Sequence, residues 1–228
     1  MMRSKFDMQL KELKQEMTAM GMLCENAIAK ASHALLTCDI RLAEELPELL
    51  GQITQKERDI EAICLKLLLH QQPVARDLRT VSSALKMVTD AQRIGTQSAD
   101  IGEIVCLGNI RTIPRGLPLQ DMATAVIHMV NNSIDAFAKQ DGKIARSVIE
   151  YDDIVDGLFN AMKSELITLL KQPDRDGEAM VDLLMVSKYF ERIGDHAVNI
   201  AGWVLFSLTG NLECDAAYFE EGSGPSEK

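Results

Sequence analysis

The feature that most constrains this 228-residue chain is a pair of similar ten-residue stretches that lie 99 positions apart. Residues 92–101 read QRIGTQSADI and residues 191–200 read ERIGDHAVNI, so both keep Arg-Ile-Gly and the closing Ile. A second repeated feature is a Gln-Pro step, at Gln72-Pro73 and again at Gln172-Pro173. Self-similarity at a fixed separation predicts two copies of one structural unit.

Each copy has the hydrophobic periodicity of long α-helices. In residues 4–37, for example, apolar side chains recur at steps of three and four. Aromatic residues make up only 4% of the chain, which disfavours a β-sandwich. The pattern predicts helices at 4–37, 39–70, 75–107, 119–139, 143–171 and 175–208. We predict that Asp39 caps the second helix, with a kink or a late helix start at Pro47.

The predicted fold is therefore all-α, with six helices arranged as two tandem three-helix bundles that form an internal pseudo-repeat. The first bundle is assigned to residues 1–108 and the second to residues 119–209. Residues 109–118 form the predicted linker, since two Gly and two Pro fall within the twelve residues 107–118. Residues 210–228 are acidic and rich in Gly and Ser, so we predict a flexible tail.

Charge and cysteine usage restrict the environment and the partners. The net charge of −10 disfavours binding to the phosphate backbone of a nucleic acid. Five scattered cysteines without a C-x-x-C motif are typical of a reducing cytoplasm. No signal peptide is visible, and the longest stretch free of charged residues is 17 residues with several polar side chains. We therefore expect a cytoplasmic protein without membrane insertion.

The carboxylates of the second half are the strongest functional candidates. Glu191 and Asp195 are one turn apart on one face of the last helix, and Asn199 extends this face by another turn. Asp152 and Asp156 have the same spacing on the preceding helix, which should pack antiparallel to the last one. If the two faces meet, four carboxylates converge, and oxygen ligands of this kind favour Mg²⁺, Mn²⁺, Ca²⁺ or oxidised iron.

The first half carries a weaker version of this set. Glu57 and Glu61 are assigned to the positions of Asp152 and Asp156, and Asp100 to that of Asn199. At the positions of Glu191 and Asp195, however, this half has the amide of Gln92 and the hydroxyl of Thr96, which are uncharged and weaker ligands. We therefore expect little or no metal binding there.

Structural explanations compete with functional ones at each of these positions. Acidic pairs at this spacing also occur on solvated helix faces, so a metal-free helical interaction module is the alternative. We expect Gly95 and Gly194 to permit close helix approach, and Arg93 and Arg192 to pair with nearby carboxylates. For His196, whose direction differs from that of Asp195 by about 100°, we expect a solvated side chain.

Enzymatic chemistry is not indicated by the sequence. It has no Glu-x-x-His of a di-iron oxidase, no phosphate-binding Gly-rich loop and no nucleophile elbow. We therefore predict that the protein is not an enzyme. An enzyme that uses a carboxylate-bound metal to activate water is the third and weakest hypothesis.

With these motifs in view, the chain resembles the PhoU family, the accessory and regulatory proteins of phosphate-specific transport systems. The resemblance rests on residues 71–79 (QQPVARDLR), residues 191–200 and the two three-helix repeats, and covers nearly the whole chain. It implies a negative regulator of phosphate uptake and of the phosphate-starvation response. The implied partners are the ATPase subunit of the phosphate transporter and a sensor histidine kinase, with a homodimer left open.

The resemblance also implies a metal site, because in this family E/D-x-x-x-D motifs of the two bundles hold metal clusters. On this chain the motif maps to Glu191 and Asp195, with Asp152 and Asp156 on the partner helix. The expected occupant is a divalent or trivalent ion: iron, zinc, manganese or magnesium. Since Gln92 and Thr96 replace the acids in the first repeat, the resemblance supports one site and not two.

Overall fold

The computed structural model describes residues 2–71, 75–173 and 176–211. Over these residues the chain forms six long helices and one short helix of a single turn, and it has no strands. The helices are α1 Met2–Thr37, α2 Ile40–Ala43, α3 Leu46–Gln71, α4 Ala75–Cys106, α5 Leu119–Lys139, α6 Gly142–Leu170 and α7 Gly177–Thr209. The all-α prediction of two tandem three-helix bundles is confirmed. The predicted acidic tail lies outside the described residues from position 212 onward.

The first turn of each bundle is built in the same way. Cys38 and Gln140 both adopt positive φ angles, of 53° and 54°, directly after the first long helix of their bundle. An aspartate follows in each case and caps the next helix. Asp39 Oδ1 accepts from Arg41 N at 3.0 Å, and Asp141 Oδ1 accepts from Lys143 N at 2.8 Å. The internal repeat therefore extends to the turns.

The predicted second helix is interrupted just before Pro47. Asp39 caps only the four-residue α2, and α3 begins at Leu46 with Pro47 as its second residue. Proline is tolerated in the first turn of a helix because its missing N–H would have no partner there. Of the two outcomes expected at Pro47, the late helix start is the one observed.

The two bundles pack along α4 and α7, which run antiparallel. The end of α4 meets the start of α7, where Asn109 Nδ2 donates to Asp182 Oδ2 at 3.0 Å. The end of α7 meets the start of α4, where a Cβ on Gly210 would lie 3.5 Å from Arg79 Nε. One continuous apolar core runs through both bundles. The boundaries at residues 108–109 and 118–119 stay a prediction, although residues 107–118 do form the connection between α4 and α5.

None of the helices in the described parts of the chain is long and apolar enough to cross a membrane. The longest helices instead carry a buried stripe, as on α7, where residues from Leu183 to Val204 at helical spacing are fully buried. These buried stripes orient the remaining faces, and on α6 and α7 they determine where the acidic side chains lie.

Candidate functional site

The acidic side chains of α6 and α7 form a cluster at the contact between the two helices. We call Asp152, Asp156, Glu191 and Asp195 the acidic cluster. Asp152 is only 7% exposed, and its charge interacts with those of Asp195, Asp156 and Glu191. The structure thus brings together the four carboxylates that the sequence analysis paired by spacing.

Where α6 packs on α7, the space beside Gly194 holds a Cβ and little more. A Cβ added there would lie 3.4 Å from Asp152 Oδ1 and 3.5 Å from Val155 Cγ1. Larger side chains at position 194 would therefore press on the buried carboxylate. Both distances are ordinary van der Waals contacts, so an alanine fits at position 194 and the expected need for glycine in close helix approach is not seen there.

Ionisation of the cluster is most unfavourable at Asp152, which is buried, whereas Asp156 and Asp195 are exposed residues. Removal from water, followed by repulsion from Asp195, Asp156 and Glu191, raises the pKa of Asp152 to about 7. Partial removal of its carboxyl group from water, together with repulsion from Glu191, also raises the pKa of Asp195 to about 6, against the opposing effects of Lys188 and His196. Asp152 Oδ1 is buried and has no hydrogen-bond partner among the described residues. A proton or a cation at this oxygen would relieve the repulsion.

Lysine side chains already neutralise part of the cluster. Lys188 Nζ lies 2.5 Å from Glu191 Oε1, one turn earlier on the same helix. The same ammonium group lies 5.5 Å from the centroid of the Phe159 ring, and Lys163 Nζ approaches this ring at 5.8 Å. Lys188 therefore competes with any cation for Glu191.

The cluster has the chemistry of a cation site without an assembled coordination geometry. Its donors are carboxylate oxygens, and hard cations prefer such ligands. Asp152 Oδ1 and Glu191 Oε2 are buried without a hydrogen-bond partner among the described residues, although Glu191 is paired with Lys188. Over the described ranges, however, no three His, Cys, Asp or Glu side chains stand where they could hold a metal ion. Binding would require rotation of these side chains and release of Glu191 from Lys188.

Asn199, the fifth predicted ligand, faces α4 instead of the cluster. Its amide Nδ2 donates to Asp90 Oδ1 at 3.3 Å, and His196 Nδ1 lies 2.9 Å from the same oxygen. The side chains of His196 and Asp90 are 21% and 17% exposed, so the expectation of a solvated histidine is wrong. Sequence reasoning missed Asp90, because the repeat places Tyr189 at the corresponding position and supplies no signal.

The first bundle has an apolar side chain where the acidic cluster has its buried acid. A Cβ on Gly95 would lie 2.8 Å from Ile53 Cδ1, so Ile53 faces Gly95 as Asp152 faces Gly194. Both pairs are related by the separation of 99 residues, which makes Glu57 the counterpart of Asp156. The assignment of Glu57 and Glu61 to Asp152 and Asp156 is therefore one helical turn out of register.

In the described part of the first bundle, the remaining polar groups form no comparable cluster. Gln92 Nε2 donates to Thr96 Oγ1 at 3.2 Å, so these two side chains partner each other. Burial and Glu61 raise the pKa of Glu57, whereas Arg58 and Arg93 lower it.

The charged residues that shift the pKa of Asp100 differ from those that act on Glu57. Burial and the neighbouring Glu103 raise the pKa of Asp100, and Arg192 of α7 lowers it. The ion pairs expected of the two repeated arginines are not formed in the described ranges, although the charge of Arg93 lowers the pKa of Glu57 and that of Arg192 lowers the pKa of Asp100. Among the described residues, neither arginine lies within 4 Å of a carboxylate oxygen.

Comparison with known proteins places both halves in one family. The model of the PhoU domain matches twice, at residues 17–105 and 119–204. The PhoU homologue of Pseudomonas aeruginosa, a phosphate-specific transport system accessory protein, is 34% identical over 207 residues, which is 90% of this chain and 86% of that protein. The homologue of Aquifex aeolicus is 33% identical over 185 residues, covering 81% of this chain and 84% of its own length.

Solved structures agree with this match. The crystal structure of PhoU from Pseudomonas aeruginosa has a TM-score of 0.84 at 34% identity and covers 90% of this chain and all of that one. PhoU from Streptococcus pneumoniae, described as a phosphate transport system regulatory protein, also has a TM-score of 0.84 at 28% identity, with coverages of 91% and 98%.

Proposed function

The chain belongs to the PhoU family, and from this premise we propose that it regulates phosphate transport as a cytoplasmic adaptor protein. The observation that carries the proposal is the match of both bundles to the family over most of the chain. Its relatives are named accessory and regulatory proteins and not enzymes. The finer proposal is that it represses phosphate uptake and the phosphate-starvation response. It would do so by contacting the ATPase subunit of the transporter and a sensor histidine kinase.

The adaptor role is tested by complementation. A bacterium that lacks its own PhoU protein should regain repression of a phosphate-starvation reporter at high phosphate when it expresses this chain. The chain should also bind the purified ATPase subunit of that bacterium's phosphate transporter. A reporter that stays active, in cells where the protein is folded and abundant, would show that the regulatory proposal is wrong.

The second part of the proposal is a single cation held by the acidic cluster of the second bundle. Asp152, Asp156, Glu191 and Asp195 would supply oxygen ligands, and the cation would offset the repulsion that raises the pKa values of Asp152 and Asp195. Iron, zinc, manganese and magnesium are the candidates. Bound there, the ion would supply positive charge that couples α6 to α7.

Elemental analysis after metal loading tests this site. We expect the wild-type chain to retain close to one ion, and Glu191→Gln/Asp195→Asn to retain none. The matched control is Glu44→Gln/Glu48→Gln, an exposed acidic pair with the same spacing in the first bundle. Equal metal content in the wild type and the cluster variant would refute the site.

The alternative is a helical interaction module that binds no metal. The ion pair of Lys188 with Glu191 favours it, because this lysine already neutralises one carboxylate of the cluster. In this case the Lys188→Met variant should gain no metal and the cluster should stay accessible to a basic partner. If Lys188→Met instead binds metal more tightly than the wild type, lysine and metal compete for Glu191 and the module hypothesis fails.

A further inference from the structure

One end of this acidic protein carries a group of basic side chains from two helices. Lys11 and Lys14 lie on α1, and Arg76 and Arg79 lie on the first turns of α4. We call these four residues the basic end. Arg76 and Arg79 share one face because they are three residues apart, and the charge of Arg76 acts on Lys14. No carboxylate lies within 4 Å of any of the four in the described part of the chain.

A shallow cavity opens between the lysines of this group. Its volume is roughly 290 Å³, and it is lined by Lys11, Lys14, Gln15, Thr18 and Ala138. Lys14 Nζ donates to the carbonyl oxygen of Ala138 at 3.2 Å, which holds the lysine stem along the cavity wall. Burial and the positive charge of the nearby Arg76 lower the pKa of Lys14, and an anion bound beside this ammonium group would offset both effects. The cavity thus combines an apolar wall with positive charge at its rim.

Helix α7 ends beside the basic end. Gly210 adopts a φ of 79° after the last turn, and a Cβ there would lie 3.5 Å from both Nε and Cζ of Arg79. Arg79 Nε is buried and has no hydrogen-bond partner within the described residues. The backbone at Gly210 therefore lies next to the unpartnered guanidinium Nε–H of Arg79. Arg76 precedes Arg79 by less than one helical turn, and Lys14 lies near Arg76.

The sequence that follows has complementary chemistry. Residues 212–228 contain five carboxylates and one lysine, and the adjacent aromatic residues Tyr218 and Phe219 stand directly before Glu220 and Glu221. Tyr218 follows Gly210 by eight positions, which allows a reach of up to about 26 Å. An aromatic ring fits an apolar cavity, and the two glutamates beside it can pair with the lysines at its rim.

We propose that the C-terminal segment 212–228 of this chain docks on the basic end, with its Tyr218-Phe219 pair in the cavity and its carboxylates on Lys11, Lys14, Arg76 and Arg79. This contact is independent of the proposed function and of the acidic cluster. The segment occupies a surface that would otherwise attract any acidic partner. An acidic partner must displace the chain's own segment before it can bind there.

Zero-length carbodiimide crosslinking of the full chain, read by mass spectrometry, tests this contact. The reagent joins an amine to a carboxylate only when the two are in ion-pair contact. We expect intramolecular links from Lys11 or Lys14 to Glu220 or Glu221 at low salt, and their loss in 0.5 M NaCl. Lys171 is the control, because it is exposed at the end of α6, near the start of α7 and away from Gly210. Equal yields from Lys171 and the two lysines would overturn the proposal, as would links found only in a dimer.

Charge exchange provides a second and independent measurement. Lys11→Glu/Arg76→Glu reverses two exposed residues of the basic end, and Glu220→Lys/Glu221→Lys reverses the segment. Either pair alone should speed chymotrypsin cleavage after Tyr218 and Phe219, and the combination of all four should restore the slow wild-type rate. Circular dichroism of each variant verifies folding. Fast cleavage in the fourfold variant, or an unchanged rate in both double variants, would overturn the proposal.

Discussion

Replacement of Asp152 by asparagine should stabilise the protein at alkaline pH in the absence of metal. Asparagine has nearly the same shape as aspartic acid but cannot ionise. In the folded chain the pKa of Asp152 is raised to about 7, against 3.8 for a free aspartate. Below pH 3.8 both the folded and the unfolded chain hold the proton, and no penalty exists. As the pH rises towards 7, only the folded chain retains the proton, so its stability falls with increasing pH.

The magnitude follows from this difference in pKa. A difference of about 3 pH units, at roughly 1.4 kcal/mol per unit, sets a ceiling of about 4 kcal/mol on the penalty at pH 8. Relaxation of the cluster and entry of water reduce the penalty, so we expect Asp152→Asn to gain roughly 2–4 kcal/mol at pH 8. Near pH 4.5 the gain should shrink to about 1 kcal/mol or less.

Urea unfolding in the presence of EDTA, followed by the fluorescence of the single Trp203 and by circular dichroism, measures both values. The control is Asp153→Asn, which changes the exposed neighbour and should alter stability little at either pH. A gain that does not depend on pH, or a loss of stability at pH 8, would refute the reasoning. With a saturating metal that binds the cluster, the wild type should become more stable than Asp152→Asn, since only the wild type has the carboxylate of residue 152 as a metal ligand.

Three further substitutions probe the rest of the molecule by the same unfolding assay. Gly194→Ala should be neutral or stabilising by up to about 1 kcal/mol because alanine favours helix. Gly95→Ala should be the less stable of the two variants because its Cβ would lie 2.8 Å from Ile53 Cδ1. The opposite order of stability would contradict the proposed packing. Asp90→Ala should lower the free energy of unfolding by about 1–2 kcal/mol because His196 loses its partner in the contact between α4 and α7. A change of less than about 0.5 kcal/mol, which is typical of a neutral surface substitution, would show that this contact contributes little to stability. Ile53→Asp should destabilise the protein more at pH 8 than at pH 5, since it buries a carboxylate. Equal losses of stability at both pH values would show that the new carboxylate is exposed to solvent.

Local patterns predicted the helices well. The bounds of α5 match the predicted 119–139, and those of α7, at Gly177–Thr209, differ by at most two residues from the predicted 175–208. Helical periodicity, proline and capping aspartates act within a few residues, so they are readable without tertiary contacts. The convergence of the acids on α6 and α7 was also predictable, because a short turn forces antiparallel packing of adjacent helices.

The sequence did not predict the register between the two repeats or the side-chain pairs that form between helices. A spacing of four residues fits the pair Glu57 and Glu61 as well as the pair Asp152 and Asp156, and only the contact of Ile53 with Gly95 shows which residues correspond. Likewise, the antiparallel packing of α4 and α7 brings His196 onto Asp90, which is 106 positions earlier in the chain. No local pattern encodes such a pairing.

The sequence by itself determined that this chain is helical, duplicated and acidic in its second half, since these properties depend on residue type and spacing along one helix. The tertiary structure decided which acid is buried. The packing of α6 on α7 beside Gly194 takes Asp152 out of water, whereas the position that corresponds to Asp152 in the first bundle holds Ile53 against Gly95. Burial depends on the distance between two helices, and that distance is set by side chains far apart in the chain.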